Sequence, residues 1–436
     1  MTQEQAARTL VVGAGQAAIS LVTALRELGD TGPVVLVGDE PEPPYERPPL
    51  SKGYLRGEHD RPSLVFHDAG WFADLGVELV TGDAVVAVER DRAGGSATTT
   101  SGRCIEFDRL ALTTGATNRL LPATGAAEAA DTPLPPDGWL PGLHSVRTLA
   151  DADRLAPELR AAREVVVVGG GFIGLEIAAG ARALGADVTV VEVADRLLDR
   201  AVSPALSDAV REAHERRGTR LLLHTGAVRV VVDDGRAAGV ELTNGQTIAA
   251  DVVVVGIGVV PRTELAAQLG LLVDPRGVVV DAYALTSDGA TVAAGDCAVG
   301  PNPFGRGVPG LTRLESVAHA TDQARSAAAT LAGHPAAYDR VPWFWSDQGD
   351  LHLQMAGLPQ GADRQVVRGD VAAERFSLLS YRDGLLVAVE SVNVPSDYLT
   401  VKRALEKGMT IDADAAADVT VPLKRLLTPT ADPRSR

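Results

Sequence analysis

Cysteine is nearly missing from this 436-residue chain. Its two thiols, Cys104 and Cys297, lie far apart and suit neither a disulfide framework nor a zinc site. A reducing cytoplasm is the setting this implies. Aromatic residues make up only 4% of the chain, and two of its four tryptophans fall inside one heptapeptide, PWFWSDQ. Long apolar runs are lacking as well: stretches such as VVVVGIGVV at 252–260 are strand-sized, well short of the roughly 20 residues a bilayer span needs. The opening MTQEQAART has neither the basic start nor the apolar core of a secretion signal. Positive charge is in deficit, with 41 basic against 57 acidic residues and a net charge of −16, so general attraction to nucleic acid or anionic membrane is not expected. The eight histidines show no HExxH or paired ligand spacing, which argues against a metal site, and no Gly-x-Ser-x-Gly elbow is present for a hydrolase nucleophile.

Glycine, by contrast, is plentiful, and its placement is informative. LVVGAGQAAISL at 10–21 and VVVVGGGFIGLEIA at 165–178 each read as a strand, a tight Gly-x-Gly turn and a helix. The turn lets backbone approach a pyrophosphate, which rests on the positive end of the helix. The positions that matter are Gly13, Gly15 and Ala18 in the first copy and Gly169, Gly171 and Gly174 in the second. Each copy also has a second strand ending in acid: VVLVGDE carries Asp39 and Glu40, and DVTVVEVAD carries Glu192, in place to accept from ribose hydroxyls. One such motif arises easily by chance in a chain with 45 glycines, whereas two complete units do not. Two dinucleotide sites in one polypeptide imply electron traffic between two cofactors.

The expected fold class is α/β: two Rossmann-like three-layer dinucleotide-binding domains, the second inserted in the first, followed by a C-terminal α+β domain. The expected boundaries are 1–118 with 251–333, 119–250, and 334–436. The first domain includes strands within 107–116, 251–261 and 291–299 and a helical run at 314–333. The Ala/Pro-rich stretch 122–142 reads as a surface excursion and the tail after Pro429 as frayed. Beyond 340, alternating patterns take over, with Arg382-Asp383-Gly384 as a hairpin signal.

Further motifs occur in a fixed order: GAGQAA, GDEPEPPYERPPLSKGYL, LTTGA, GGGFIGLE, VVEVADRLLDR, GIGVVP, AAGDC, RLESVAHATDQAR and PWFWSDQ. Over essentially its whole length the chain resembles the flavin reductases that pass electrons from NADH to small iron–sulfur ferredoxins, the putidaredoxin reductase and biphenyl dioxygenase ferredoxin reductase type within the glutathione-reductase-like fold. Apoptosis-inducing-factor flavoproteins share several of these motifs. The resemblance assigns Ala17, Asp39, Arg47, Lys52, Val85, Arg147, Asp296 and Val317 to FAD. It assigns Ile173, Glu176, Glu192, Arg200, Gly258 and Glu315 to NADH.

Thiol-dependent relatives carry a cysteine pair where this chain has Pro48-Pro49-Leu50-Ser51-Lys52, so a cysteine-relayed reduction is excluded and electrons must leave the flavin directly. By composition Lys52 would be a solvated lysine, Glu176 a helix-dipole acid and Trp345 a packing residue. The resemblance instead places Lys52 by the reactive flavin edge, Glu176 at the nicotinamide–flavin junction and Trp345 against the flavin. Neither Lys52 nor Glu176 need be an acid–base catalyst, because hydride transfer to flavin mainly requires stacking and alignment. Cys297 reads as a small buried residue.

The activity this implies is NADH:ferredoxin oxidoreduction, with a [2Fe–2S] ferredoxin serving a cytochrome P450 or a Rieske oxygenase. A rubredoxin reductase or NADH oxidase remains an alternative. So does, from another class, a flavin-bound interaction protein like apoptosis-inducing factor. A monomer or weak dimer is expected. An acidic ferredoxin would need a local basic face on so acidic a chain, with Lys402 and Arg403 as candidates, aided by Arg306 or Arg313.

Overall fold

Two parallel sheets repeat in space the duplication seen in the sequence, alike in four strands and differing in the outer one, which follows the others in the chain in the first sheet and precedes them in the second. In the computed structural model, which describes residues 7–91, 94–119, 121, 140–304 and 310–430, the first sheet runs Thr291–Ala293, Arg109–Leu112, Thr9–Val12, Val34–Val37, Val77–Val80. Taken in the same direction, the second runs Leu143–His144, Val252–Val255, Glu164–Val168, Asp187–Val191, Arg220–Leu222. In each, the glycine-fingerprint strand sits at the centre. Its valines and leucines are buried because parallel sheets are covered on both faces, which is why these strands read as unbroken apolar runs. Each unit also carries a three-stranded antiparallel sheet, 85–107 in the first and 227–249 in the second.

The expected boundary at 250/251 is displaced. Val252–Val255 pairs in parallel with the fingerprint strand of the second unit, and so does not belong to the first. The apolar run from 251 to 261 is broken at Gly258, whose φ of +97° suits glycine, and its remainder, Val259–Pro261, pairs antiparallel with Ala116–Asn118. That two-stranded ribbon joins the units. Of the Ala/Pro-rich stretch, residues 122–139 lie outside the described residues, as does the tail 431–436.

The C-terminal domain is a five-stranded antiparallel sheet ordered Trp343–Gln348, Leu351–Gly357, Leu385–Val392, Arg375–Arg382, Arg364–Asp370, with the helix Pro395–Glu406 packed on it. Asp383 and Gly384 take φ of +50° and +75°, as the two-residue turn of a twisted hairpin requires. One apolar core joins all three regions. Tyr45, Leu50 and Leu55 of the first unit meet Leu155 and Leu175 of the second and Leu351 and Phe376 of the third. The segment around PPLSK is thereby held against the second fingerprint helix, Phe172–Ala183. No helix among the described residues is long and apolar enough to cross a membrane.

Candidate active site

Both fingerprint turns are built so that only glycine fits. A Cβ on Gly13, at φ +100°, would fall 2.2 Å from the carbonyl oxygen of Thr113 at the end of the adjoining strand. One on Gly169, at φ +110°, would fall 2.3 Å from the carbonyl oxygen of Gly256, the equivalent place in the second sheet. Gly174 packs as tightly, with a Cβ position 2.3 Å from Gly169 O. Gly15 and Gly171 have open space instead, and each forms the N-cap of its helix with no side-chain cap and no acid in the first turn. The helices starting after Asp60, Asp68, Thr148, Ser203, Ser316 and Asp412 are all capped by side chains. Free N–H groups, a positive helix end and room for backbone approach fit a pyrophosphate at each turn.

Around the first turn most residues assigned to the flavin nucleotide form one connected set. A Cβ on Gly295 would lie 3.2 Å from Ala17, so the Gly295-Asp296 turn rests on the first fingerprint helix beside Ala18. Asp296 accepts from Arg147 at 2.8 Å, and the Arg147 carbonyl accepts from Arg47 at 2.6 Å. Arg47 also pairs with Glu40, which accepts from the Tyr45 hydroxyl. Val317 opens the helix Val317–Leu331, packed against Gln16–Glu27, where Gln16 donates to Thr321 at 3.1 Å. Asp39 stands apart from the set and pairs with Arg262 at 2.5 Å. Val85 begins the strand Val85–Arg90 and packs against the cluster of Leu10, Val35 and Leu110.

In the second unit, Glu192 reaches back across its turn. Its carboxylate accepts from Gly170 N at 2.6 Å and Ala194 N at 2.8 Å. Arg200 approaches Gly258, whose Cβ position would be 3.7 Å from the guanidinium. Glu315 pairs with Arg313, and Arg313 also donates to Asp296 O at 3.3 Å, so Glu315 adjoins the first nucleotide's residues as well. Ile173 is exposed in the first turn of its helix.

Lys52 and Glu176 come together, across 124 positions of sequence. Lys52 Nζ lies 2.8 Å from Glu176 Oε2, and the glutamate is only 3% exposed. Breaking so buried a pair by removing one partner costs about 3–5 kcal/mol, because it strands a charge. Ser51 donates to the same Oε2, and Ser346 donates to Oε1 at 2.6 Å. Trp345, next to Ser346 but on the opposite face of its strand, stacks on Trp343 with centroids 5.5 Å apart.

Sequence reading missed Ser51, Ser346, Gln348 and His214. Gln348 donates to Ser346 at 3.2 Å, and His214 meets Gln348 Oε1 at 2.9 Å, all buried. The signal was the period-two alternation of WFWSDQ, which puts Phe344, Ser346 and Gln348 on one face. Phe344 packs on Phe172 of the fingerprint helix, at 4.6 Å between centroids. Burial, with Arg217 nearby, holds the His214 imidazole below the usual histidine range, although its bond to Gln348 opposes the shift.

Of the basic candidates for docking, Lys402 is already engaged, 2.8 Å from Glu406 and 5.5 Å above the Trp343 ring. Arg313 is committed to Glu315, Arg306 lies outside the described residues, and Arg403 is exposed.

Comparison with known proteins agrees with this architecture. The model of the pyridine nucleotide-disulphide oxidoreductase family matches residues 7–324, and that of a reductase C-terminal domain matches 343–427. Rhodocoxin reductase of Rhodococcus erythropolis is 46% identical over 95% of this chain and 93% of its own. The solved ferredoxin reductase for the CYP199A2 system of Rhodopseudomonas palustris superposes with a TM-score of 0.88 at 39% identity, covering 96% of this chain and 99% of that one. The reductase in the covalent putidaredoxin reductase–putidaredoxin complex gives a TM-score of 0.88 at 34% identity, covering 96% and 98%.

Proposed function

The chain belongs to the pyridine nucleotide-disulphide oxidoreductase family, and from that footing we propose that it is an NADH:ferredoxin oxidoreductase, with FAD on the first fingerprint and NADH on the second. Bound FAD supplies the redox chemistry, accepting a hydride from NADH and releasing single electrons. The chain supplies orientation and electrostatics. The observation that carries the reading is the buried Lys52–Glu176 pair, which ties the PPLSK segment of one nucleotide unit to the fingerprint helix of the other. Lys52 offers a cation where negative charge develops, and Glu176 fixes that cation in place. The stretch 48–52 carries no cysteine for a thiol relay, so the electrons exit without one. Trp345 borders that exit.

NADH is the coenzyme because Glu192 presents a carboxylate to the ribose, while Arg196 is bound to Asp199 at 2.8 Å and to Val202 O at 2.9 Å and is not free for a 2′-phosphate. The acceptor is a [2Fe–2S] ferredoxin serving a cytochrome P450 or a Rieske oxygenase, in the cytoplasm, and the reductase works as a monomer or weak dimer. Arg403 is the docking cation, with Lys402 contributing less because Glu406 offsets its charge.

Steady-state reduction of cytochrome c by NADH, with and without a [2Fe–2S] ferredoxin, tests the reading. Turnover should depend on ferredoxin and saturate with it. Arg403→Glu should raise the KM for ferredoxin and leave NADH-to-ferricyanide activity intact. Equal electron flow to dioxygen with ferredoxin idle would identify an NADH oxidase. Slow turnover that no acceptor accelerates would identify an interaction protein.

A further inference from the structure

The hydrogen bonds leading away from Glu176 run in one direction only. A carboxylate accepts and does not donate, so Ser346 must spend its single hydroxyl proton on Oε1. Ser346 is then only an acceptor toward Gln348, which must present its NH2 group. That turns the Gln348 carbonyl toward His214 and requires the imidazole to donate from Nε2. The tautomer of a histidine in the helix Pro204–Arg216 is thus dictated by a carboxylate three hydrogen bonds away. Ser346 and Gln348 are fully buried, and His214 is 2% exposed, so water does not substitute for any link. The chain also crosses a seam: Glu176 and His214 belong to the second unit, whereas Ser346 and Gln348 belong to the C-terminal sheet.

We infer that Ser346, Gln348 and His214 are positioning residues, a relay that sets the Glu176 carboxylate against Lys52 and makes that setting depend on the C-terminal sheet being docked on the second unit. This rests on the reading of Glu176 as a residue of the nicotinamide–flavin junction. Packing alone would be satisfied by apolar side chains at these positions. A row of donors, each pointing to the next and the last to the carboxylate, is what orientation requires. The relay also gives the C-terminal domain a part in flavin reduction as well as in docking.

Two measurements on the FAD-loaded full-length protein test it. The first is rapid mixing with NADH. Ser346→Ala should slow flavin reduction at saturating NADH by about tenfold, the scale of one lost hydrogen bond to a charged group, with the KM for NADH nearly unchanged. Ser346→Thr, which keeps the hydroxyl, should recover most of the rate, and Gln348→Leu should give a smaller loss than Ser346→Ala. The second is 15N NMR of the His214 imidazole, which reads the relay independently of activity and should report the Nε2–H tautomer at neutral pH. An unchanged rate in Ser346→Ala, no recovery in Ser346→Thr, or an Nδ1–H tautomer would overturn the relay. A wild-type flavin that NADH fails to reduce would instead overturn the functional reading, and the tautomer would still decide the relay.

Discussion

In the proposed function Glu192 carries the coenzyme choice, and its geometry makes that role testable. Both carboxylate oxygens are already oriented by backbone N–H groups, so the side chain is held rigidly where a ribose edge would arrive. A 2′-phosphate there would meet a fixed negative charge, and Arg196, paired with Asp199, is not free to offset it. Comparing kcat/KM for the two coenzymes should favour NADH by roughly 100-fold, the scale of 2–3 kcal/mol, and Glu192→Ala should shrink the gap chiefly by lowering the NADH value. Equal efficiencies in the wild type would contradict this role. At this scale the sequence was legible where a residue sits at a fixed offset from a glycine fingerprint. Glu192 was singled out that way, whereas Glu176 and Lys52 came through the resemblance, and the structure brings those two together in one buried pair. Ser346, Gln348 and His214 escaped because their meaning lies in a meeting of segments more than a hundred residues apart. Asp39, read as a ribose acid, pairs with Arg262, while the neighbouring Glu40 turns inward to Tyr45 and Arg47.

Among the elements, the helix Pro204–Arg216 and the residue after it act as a clamp between the second unit and the C-terminal sheet. At one end Ser203 N donates to Glu390, a carboxyl that burial pushes above the usual range. At the other, Arg217 donates to both oxygens of Glu374 and also pairs with Asp350 at 2.7 Å, and Arg216 shares Glu374 at 2.6 Å. His214 lies between the two ends. The two arginines hold the Glu374 carboxyl down to about 2. A lowered carboxyl stabilises the fold fully above its unfolded pKa and loses that contribution as pH falls through the folded value. At neutral pH, Glu374→Gln should cost roughly 1 kcal/mol, since these pairs are partly open to solvent. Denaturant midpoints of wild type and variant should then draw together as pH is lowered from about 5 toward about 2, the interval between the ordinary glutamate value and the folded one. A gap that stays constant would show that the lost contact was packing and not charge. The two fingerprint units were readable because strand, turn and helix lie within 30 residues of each other. The sheet to which Val252–Val255 belongs was not, since a buried valine run looks the same in either sheet and only pairing distinguishes them.

Across the whole molecule, a single apolar core runs through the PPLSK segment, the second unit and the C-terminal sheet, and over it the Glu176 network crosses from one region to the next. The three regions meet at the point where electrons would pass between carriers. The net charge of −16 says little about that point, where Arg147 and Arg313 are each paired with a local acid, Asp296 and Glu315. Whole-chain composition bears on general electrostatics alone. It was a poor guide to the partner's docking face, for which the proposal turns on a single exposed cation, Arg403. Neither thiol is placed to take part in turnover. Cys297 is fully buried at 3.5 Å from Leu112 O, where burial pushes its thiol up, and Cys104 is exposed in a strand of the antiparallel sheet at 85–107. The central claim is that electrons pass from NADH through flavin alone to a one-electron carrier. The measurement that tests it most directly is anaerobic rapid mixing of the FAD-loaded Cys104→Ser/Cys297→Ser protein with NADH and then with oxidised [2Fe–2S] ferredoxin. The account predicts bleaching of the flavin band followed by reduction of about two ferredoxins per NADH, at rates within about twofold of wild type. A correctly folded, flavin-loaded variant that accepts hydride but leaves the ferredoxin oxidised would contradict it.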